Sequence, residues 1–243
     1  MKRVLLSTIV LVSIAAFGQQ KETRSLSSFS EISAHEGIDV ILKKGSKESA
    51  RIEARNIDLD DVLTEISGGR LKIHLEGNKH NNVDVTVWVT YTNLRSVSAS
   101  SAADIEAEER IEASGDFRVD VSSAADVELS IKADELDVRA SSAGDVELDV
   151  DVNSVDASVS SAGGIEIEGS ADSIDVEVSS SGDFEGYDLP CKEAEVSASS
   201  GGSAEVNVSE QLDARASSGG SIRYRGNPRM DISTSSGGSI RKS

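Results

Sequence analysis

The side chains best placed to do chemistry in this 243-residue sequence are carboxylates on a fixed repeat. A Ser-Ser doublet and two tiny residues are followed by an acid, with a second acid two positions on: Asp104 with Glu106, Asp126 with Glu128, Asp145 with Glu147. Superposing the copies puts Asp104, Asp126, Asp145 and Asp183 in one outward column, interrupted by Gly164. Glu106, Glu128, Glu147, Glu166, Glu185 and Glu205 form a second column, in which Arg223 and Arg241 then take the same place. Like charges stacked at strand spacing repel by roughly 1 kcal/mol per pair in water. Calcium is the hard cation suited to clustered carboxylate oxygens, so Asp104, Glu106, Asp126, Glu128, Asp145 and Glu147 are the candidate metal ligands. The competing reading is a bare solvated acidic face, because neither an EF-hand loop nor the Gly-Gly-x-Gly-x-Asp calcium repeat is present. No other cofactor is indicated.

Nucleophilic and acid–base chemistry finds less support. His35, His74 and His80 all precede the repeats, so the serine doublets have no base in their own segment. They read as structural, with the second serine of each pair (Ser101, Ser123, Ser142, Ser161) facing inward and hydrogen-bonding to backbone or up a stack. Cys191 is the single cysteine, which excludes an internal disulfide. It reads as a small buried hydrophobe, since no basic cluster beside it would lower its pKa. Arg139 and Arg215 beside aspartates do not make the cleft of a glycoside hydrolase. No catalytic residue is assigned.

The repeats themselves dictate the scaffold. The doublets begin at Ser100, Ser122, Ser141, Ser160, Ser179, Ser199, Ser217 and Ser235, at intervals of 18 to 22 residues. Helix-pair repeats need more than about thirty residues, so each copy is one turn built of strands. Apolar or small residues alternate with polar ones before each doublet, as in Phe117-Val119-Val121, Leu136-Val138-Ala140 and Ile174-Val176-Val178. That period of two is a strand signature. The second tiny residue (Ala103, Ala125, Gly144, Gly163) falls on the inward side and suits a sharp corner. A hairpin array would show Asn-Gly or Asp-Gly signals every 8 to 12 residues or so, and these are missing at regular places. The expected fold is therefore all-β, a right-handed parallel β-helix with rungs of about 18 to 22 residues. Aromatic residues make up 3% of the chain, which fits a thin interior without room for large rings.

Lys2 and Arg3, the apolar run Val4 to Phe17 and the small-residue exit Ala16-Phe17-Gly18 describe a signal peptide over residues 1–18. The run is short for a membrane anchor, which needs about 20 apolar residues. No transmembrane segment is expected after cleavage, and the protein is placed in the periplasm or on the cell surface. Residues 19–99 read as a β-rich N-terminal segment that caps the coil, continuous with the repeats of 100–243. Trp88 is expected in the core or the cap. The formal charge of −19 excludes nucleic acid as a partner and favours divalent cations, basic proteins or cationic polymers. At the other end the coil stops at Arg241, Lys242 and Ser243, an open edge through which copies could associate.

Phe29-Ser30-Glu31-Ile32, Gly37-Ile38-Asp39-Val40, Gly69-Arg70-Leu71-Lys72-Ile73, Val83 to Tyr91 and Ser-Ser-Ala-Ala-Asp-Ile at Ser100 together resemble the head GIN domain family of Bacteroidetes envelopes, labelled putative auto-transporter adhesins. The resemblance implies a β-helix and brings no catalytic residues with it. The long acidic repeat and the doubled serines depart from the family pattern. The expected function is a non-enzymatic exported binding module, adhesin-like, with an envelope, glycan or protein ligand. Two alternatives stand beside it: a structural or envelope-stress-associated periplasmic protein, and, behind both, a carbohydrate-active β-helix enzyme.

Overall fold

The computed structural model describes residues 20–77 and 82–243. The signal-peptide assignment to 1–18, and His80, lie outside the described residues. Strands stack into a β-solenoid of about eight turns with about 19 residues per turn. Each repeat supplies two strands, for example Asp126–Lys132 and Glu135–Ser141, then Asp145–Asp151 and Ser154–Val159. Strands one rung apart pair in parallel, Asp126 on Asp145 on Gly164 in one sheet and Phe117 on Leu136 on Val155 in the other. The coil therefore has two lateral sheets back to back, with the alternating apolar side chains between them. Val127, Leu129, Leu136, Val138, Val146 and Leu148 are all buried. Burying one such side chain contributes about 1.5–3 kcal/mol, so the repeated pattern is the main source of cohesion.

The serine doublet makes the corner between the sheets, by a device the sequence pattern does not reveal. Ser142 and Ala143 have φ of +53° and +58°, and Ser161 and Ala162 have +53° and +60°. The Gly144 amide donates to the Ser141 carbonyl at 3.0 Å and Gly163 to Ser160 at 3.0 Å, which closes a type I′ turn. The second serines (Ser101, Ser123, Ser142, Ser161) are thus exposed at the corner and do not face inward as expected. Two consecutive left-handed residues interrupt the alternation, so parity is lost inside the turn and resumes at its far side. The following Ala103, Ala125, Gly144 and Gly163 are buried, as expected. What the second serine contributes to the stack is its carbonyl. Ser142 O accepts from Ala124 N at 3.2 Å, Ser161 O from Ala143 N at 3.2 Å and Ser180 O from Ala162 N at 3.1 Å.

The coil begins before the first doublet. Strands Glu31–His35 and Asp39–Lys44 pair in parallel with Ser96–Ser100 and Asp104–Ala107, so residues 31–44 already form a rung. Antiparallel additions close the head: Gln20–Ser25 on Ser49–Arg55, Ser49–Arg55 on Asp84–Tyr91, and Val62–Ser67 on Arg70–Leu75. Arg24 reaches across this end to the carbonyls of Val62 and Leu59. Trp88 lies in the capping head and not in the core: it faces outward and is half-buried, because it falls on the solvent parity between buried Val87 and Val89. The interior also holds large rings, Phe117 and Phe184 being fully buried. Gly186 makes the room for one of them, since a Cβ there would lie 2.7 Å from the Phe184 ring.

Adjacent corner positions should respond oppositely to substitution. Ala162→Gly removes a left-handed L-residue, worth about 1–2 kcal/mol, against about 0.5–1 kcal/mol of added chain entropy. Its melting temperature should rise by about 1–3 °C. Gly163→Val puts a Cβ 2.9 Å from the Ala140 carbonyl carbon and Ser141 nitrogen. Overpacking of about 1–3 kcal/mol should lower its melting temperature by several degrees, a response calorimetry of the two variants will distinguish.

Candidate functional site

One lateral sheet carries the acidic columns in the register the repeats predict. Asp104 pairs with Asp126, Asp126 with Asp145, Asp145 with Gly164 and Gly164 with Asp183. Glu106, Glu128, Glu147, Glu166, Glu185 and Glu205 follow in step, and Arg223 and Arg241 continue the same column. The sequence reading missed the head of this face. Asp39 stands directly above Asp104, and Ile41, Trp88 and Arg51 top the glutamate column. Arg51 lies over the Trp88 ring, 3.9 Å from its centroid, a cation–π contact.

Two carboxylates of the ladder, Asp104 and Glu185, are held above their ordinary pKa. Burial first, then the charges of Asp126, Asp39 and Glu106, push the Asp104 carboxyl above its ordinary value. Glu185 is raised in the same way, by burial and then by Asp183, Glu166 and Glu205. A shallow trough of about 610 Å³ runs along these residues. Among the described residues, no three His, Cys, Asp or Glu side chains gather where one ion could sit.

The opposite sheet bears a second, larger trough of about 860 Å³. At the head end its charges are paired. Glu31 lies between Arg70 at 2.8 Å and Arg95 at 2.6 Å, and Asp137 between Arg118 at 2.9 Å and Arg139 at 3.0 Å. Burial pushes the Glu31 carboxyl up, but the hydrogen bonds and charges of Arg70 and Arg95 outweigh it and hold the group below its ordinary value. Farther down, the column continues as Asp156, Asp175, Glu195 and Asp213. Asp175 is raised by burial and then by Glu195, Asp156 and Glu177. The superposition that locates the first ladder would have found this one, had it been applied to the strand preceding each doublet.

His35 is brought by the first rung to Ser100, with Nδ1 2.6 Å from its Oγ, while Ser33 Oγ lies 2.7 Å from Nε2. A hydroxyl stands where a Ser-His-Asp triad has its carboxylate, so the imidazole has no anionic partner on its far nitrogen. Burial and then the charge of Lys72 hold the His35 pKa below its ordinary value. Cys191 is buried and its thiol is pushed up to about 12, which leaves it protonated at neutral pH.

A family model described as "Putative auto-transporter adhesin, head GIN domain" matches residues 28–228. The chain belongs to the head GIN domain family. Solved structures share the solenoid fold. A protein of Parabacteroides merdae named a putative adhesin is 19% identical with a TM-score of 0.88, over 93% of this chain and 96% of its own. From Parabacteroides distasonis, a protein named a putative lipid binding protein is 21% identical with a TM-score of 0.85, over 94% and 98%. A second P. distasonis protein, named a putative adhesin, is 20% identical with a TM-score of 0.85, again over 94% and 98%. No curated protein matches the chain.

Because folding raises the Asp104 pKa, its contribution to stability is fully present below the unfolded value of about 3.9 and is lost as pH rises through the folded one. Asp104→Asn should therefore melt higher than the parent at pH 7, with the gap closing toward pH 4. Sodium chloride should raise the parent's melting temperature by screening the same repulsion. Calcium and magnesium at matched ionic strength should act alike. A calcium excess abolished by Asp126→Asn with Asp145→Asn would instead assign ligation to the ladder.

Proposed function

We propose that this chain is a non-enzymatic exported binding module of the cell envelope, adhesin-like in its use of a lateral sheet to hold a basic macromolecular partner. The observation that carries the reading is the carboxylate ladder, Asp104 to Glu205, held in register over successive rungs of a rigid sheet. Rungs are about 4.8 Å apart, so the face offers a periodic rail of charge to an extended cationic chain. A surface of this sign attracts such a partner from a distance and fixes its alignment. The family and its solenoid relatives support an exported or surface location. Among the described residues no helix is long and apolar enough to cross a membrane.

The lipid-binding name of one P. distasonis relative is not carried to this chain, because a formal charge of −19 opposes anionic headgroups. The paired charges in the head of the larger trough favour a second reading, a structural periplasmic protein.

Poly-lysine binding followed by titration calorimetry should be tight at low salt and fall steeply as salt rises. Replacing Asp126, Glu128, Asp145 and Glu147 by their amides should weaken it at least about tenfold while leaving the circular dichroism unchanged. Equal binding by the variant would exclude the ladder as the contact. Protease added to intact cells should cleave the protein, whereas full protection until the outer membrane is opened would support the periplasmic reading.

A further inference from the structure

The first rung of the coil joins a histidine to a serine doublet, which no later rung can do, since the histidines of the chain are His35, His74 and His80. Strands Glu31–His35 and Ser96–Ser100 pair in parallel with His35 beside Ser100. Ser100 Oγ lies 2.6 Å from Nδ1 of the imidazole, and Ser33 Oγ lies 2.7 Å from Nε2. Ser33 is buried, whereas His35 and Ser100 are half-buried. These two line a pocket of about 390 Å³ together with Asp120, Ser122, Arg139 and Ser141. Ser122 and Ser141 continue the column of Ser100, so Ser122 has a serine on each side of it in register. Of the three hydroxyls in this pocket, Ser100 alone has the imidazole as its neighbour in register.

We propose that Ser100 is an acyl-accepting nucleophile, with His35 as its general base and Ser33 as the residue that positions the imidazole. Nucleophile within hydrogen-bond reach of a base, and base within reach of an orienting group, is the arrangement that activates a serine. One tautomer serves both contacts. With the proton on Nε2, that nitrogen donates to Ser33 Oγ, and Nδ1 accepts from the Ser100 hydroxyl. Burial and then the charge of Lys72 favour the neutral imidazole, which a base must be. Lys72 and His74 act on it from strand Arg70–Leu75 and Glu36 from the adjoining residue, while Asp120 and Arg139 face it across the pocket.

The substrate class is a short activated ester, because the pocket is small and Arg139 supplies positive charge toward an acyl oxygen seated in it. A bond forms from Ser100 Oγ to the acyl carbon as the bond from that carbon to the leaving oxygen breaks. The Ser100 proton passes to His35 Nδ1 and from there to the leaving oxygen. Ser33 offers the far nitrogen a hydroxyl in place of a carboxylate, so the imidazole is a weaker base than in a full triad. Removal of the acyl group by water is correspondingly slow, and the product is a covalently attached acyl group. This single covalent step needs no turnover and adds to the binding role an attachment point remote from the tail of the ladder.

Incubation of the full chain with p-nitrophenyl acetate, read by peptide mass mapping, tests this directly. Ser100 should be acetylated ahead of Ser122 and Ser141. His35→Gln should slow acetylation of Ser100 at least about a hundredfold, the contribution of a general base. The parent's rate should be at its plateau by pH 7 and fall only below about 6.5, as the imidazole takes up a proton. Ser33→Ala should lower the plateau and shift the midpoint of that pH profile, which a merely structural defect would not do. Circular dichroism will show which variants fold, and the parent's pH profile decides the role of His35 should His35→Gln not fold. Ser100 acetylated no faster than Ser122, a rate indifferent to His35→Gln, or one without the histidine pH dependence would each overturn the proposal. So would nitrophenol release beyond one equivalent over the Ser100→Ala variant, because the acyl group would then not be retained.

Discussion

A left-handed corner repeated in register with copies of itself governs this molecule. A type I′ turn needs positive φ at both central positions, which costs an L-residue about 1–2 kcal/mol each. Here the residues are Ser with Ala or Ser in five successive corners, from Ser101-Ala102 to Ser180-Ser181. What offsets the strain is the next rung. The amide of the second left-handed residue donates to the serine carbonyl of the following corner, from Ala102 to Ser123 through Ser181 to Ser200. Each turn is therefore incomplete alone and complete in a stack, the nearest-neighbour cooperativity of solenoids. Toward the tail Gly201, Gly219 and Gly237 take over the second position and relieve the conformational cost.

Register fixed by the corner leaves the outward side chains no choice of neighbour. A residue meets its equivalent one turn above and below, whatever its charge. Where the sequence varies between turns, the result is an ion pair across about one rung: Arg118 with Asp137, Lys132 with Asp151, Arg215 with Glu195 and Arg223 with Glu205. Where it does not vary, carboxylates stack, and at Asp104, Asp175 and Glu185 burial first and then the neighbouring carboxylates raise the pKa. Fidelity of repetition is thus converted into electrostatic tension, spread along both faces. These exposed pairs each contribute little to stability. Their effect is to decide where along a face the charge is cancelled and where it is left free.

The coil, its interval and the order of both acidic columns were legible in the sequence, because period-two alternation and a constant repeat determine parity and stacking together. The corner was not. Ser-Ser followed by tiny residues gives no Asn-Gly signal, and a parity count carried straight through Ser123 or Ser142 cannot know that two left-handed residues stand in its path. Which side of its strand Trp88 takes follows from parity alone. Its position between buried Val87 and Val89 gives it the solvent side of the head. The contact of His35 with Ser100 joins residues 65 apart in sequence, and only the parallel pairing of Glu31–His35 with Ser96–Ser100 brings them together. The antiparallel strands of the head share the strand pattern of the parallel ones, so alternation could place them in a sheet without giving their direction.

The geometry of the ladder also bears on what it can hold. A cation cage needs six to eight oxygens converging on one point at about 2.3–2.6 Å, which proteins build from loops whose backbone folds around the ion. Side chains on a sheet leave in parallel, spaced by the strand separation of about 4.8 Å along a column. They do not converge unless the side chains themselves bend together against their repulsion. On the function proposed above, a flat rail of this kind would suit an extended cationic chain laid along the coil. The same register sets the strands that bear the carboxylates at an even spacing along the coil. A backbone spacing fixed in advance would leave less conformational entropy to be lost if such a partner bound.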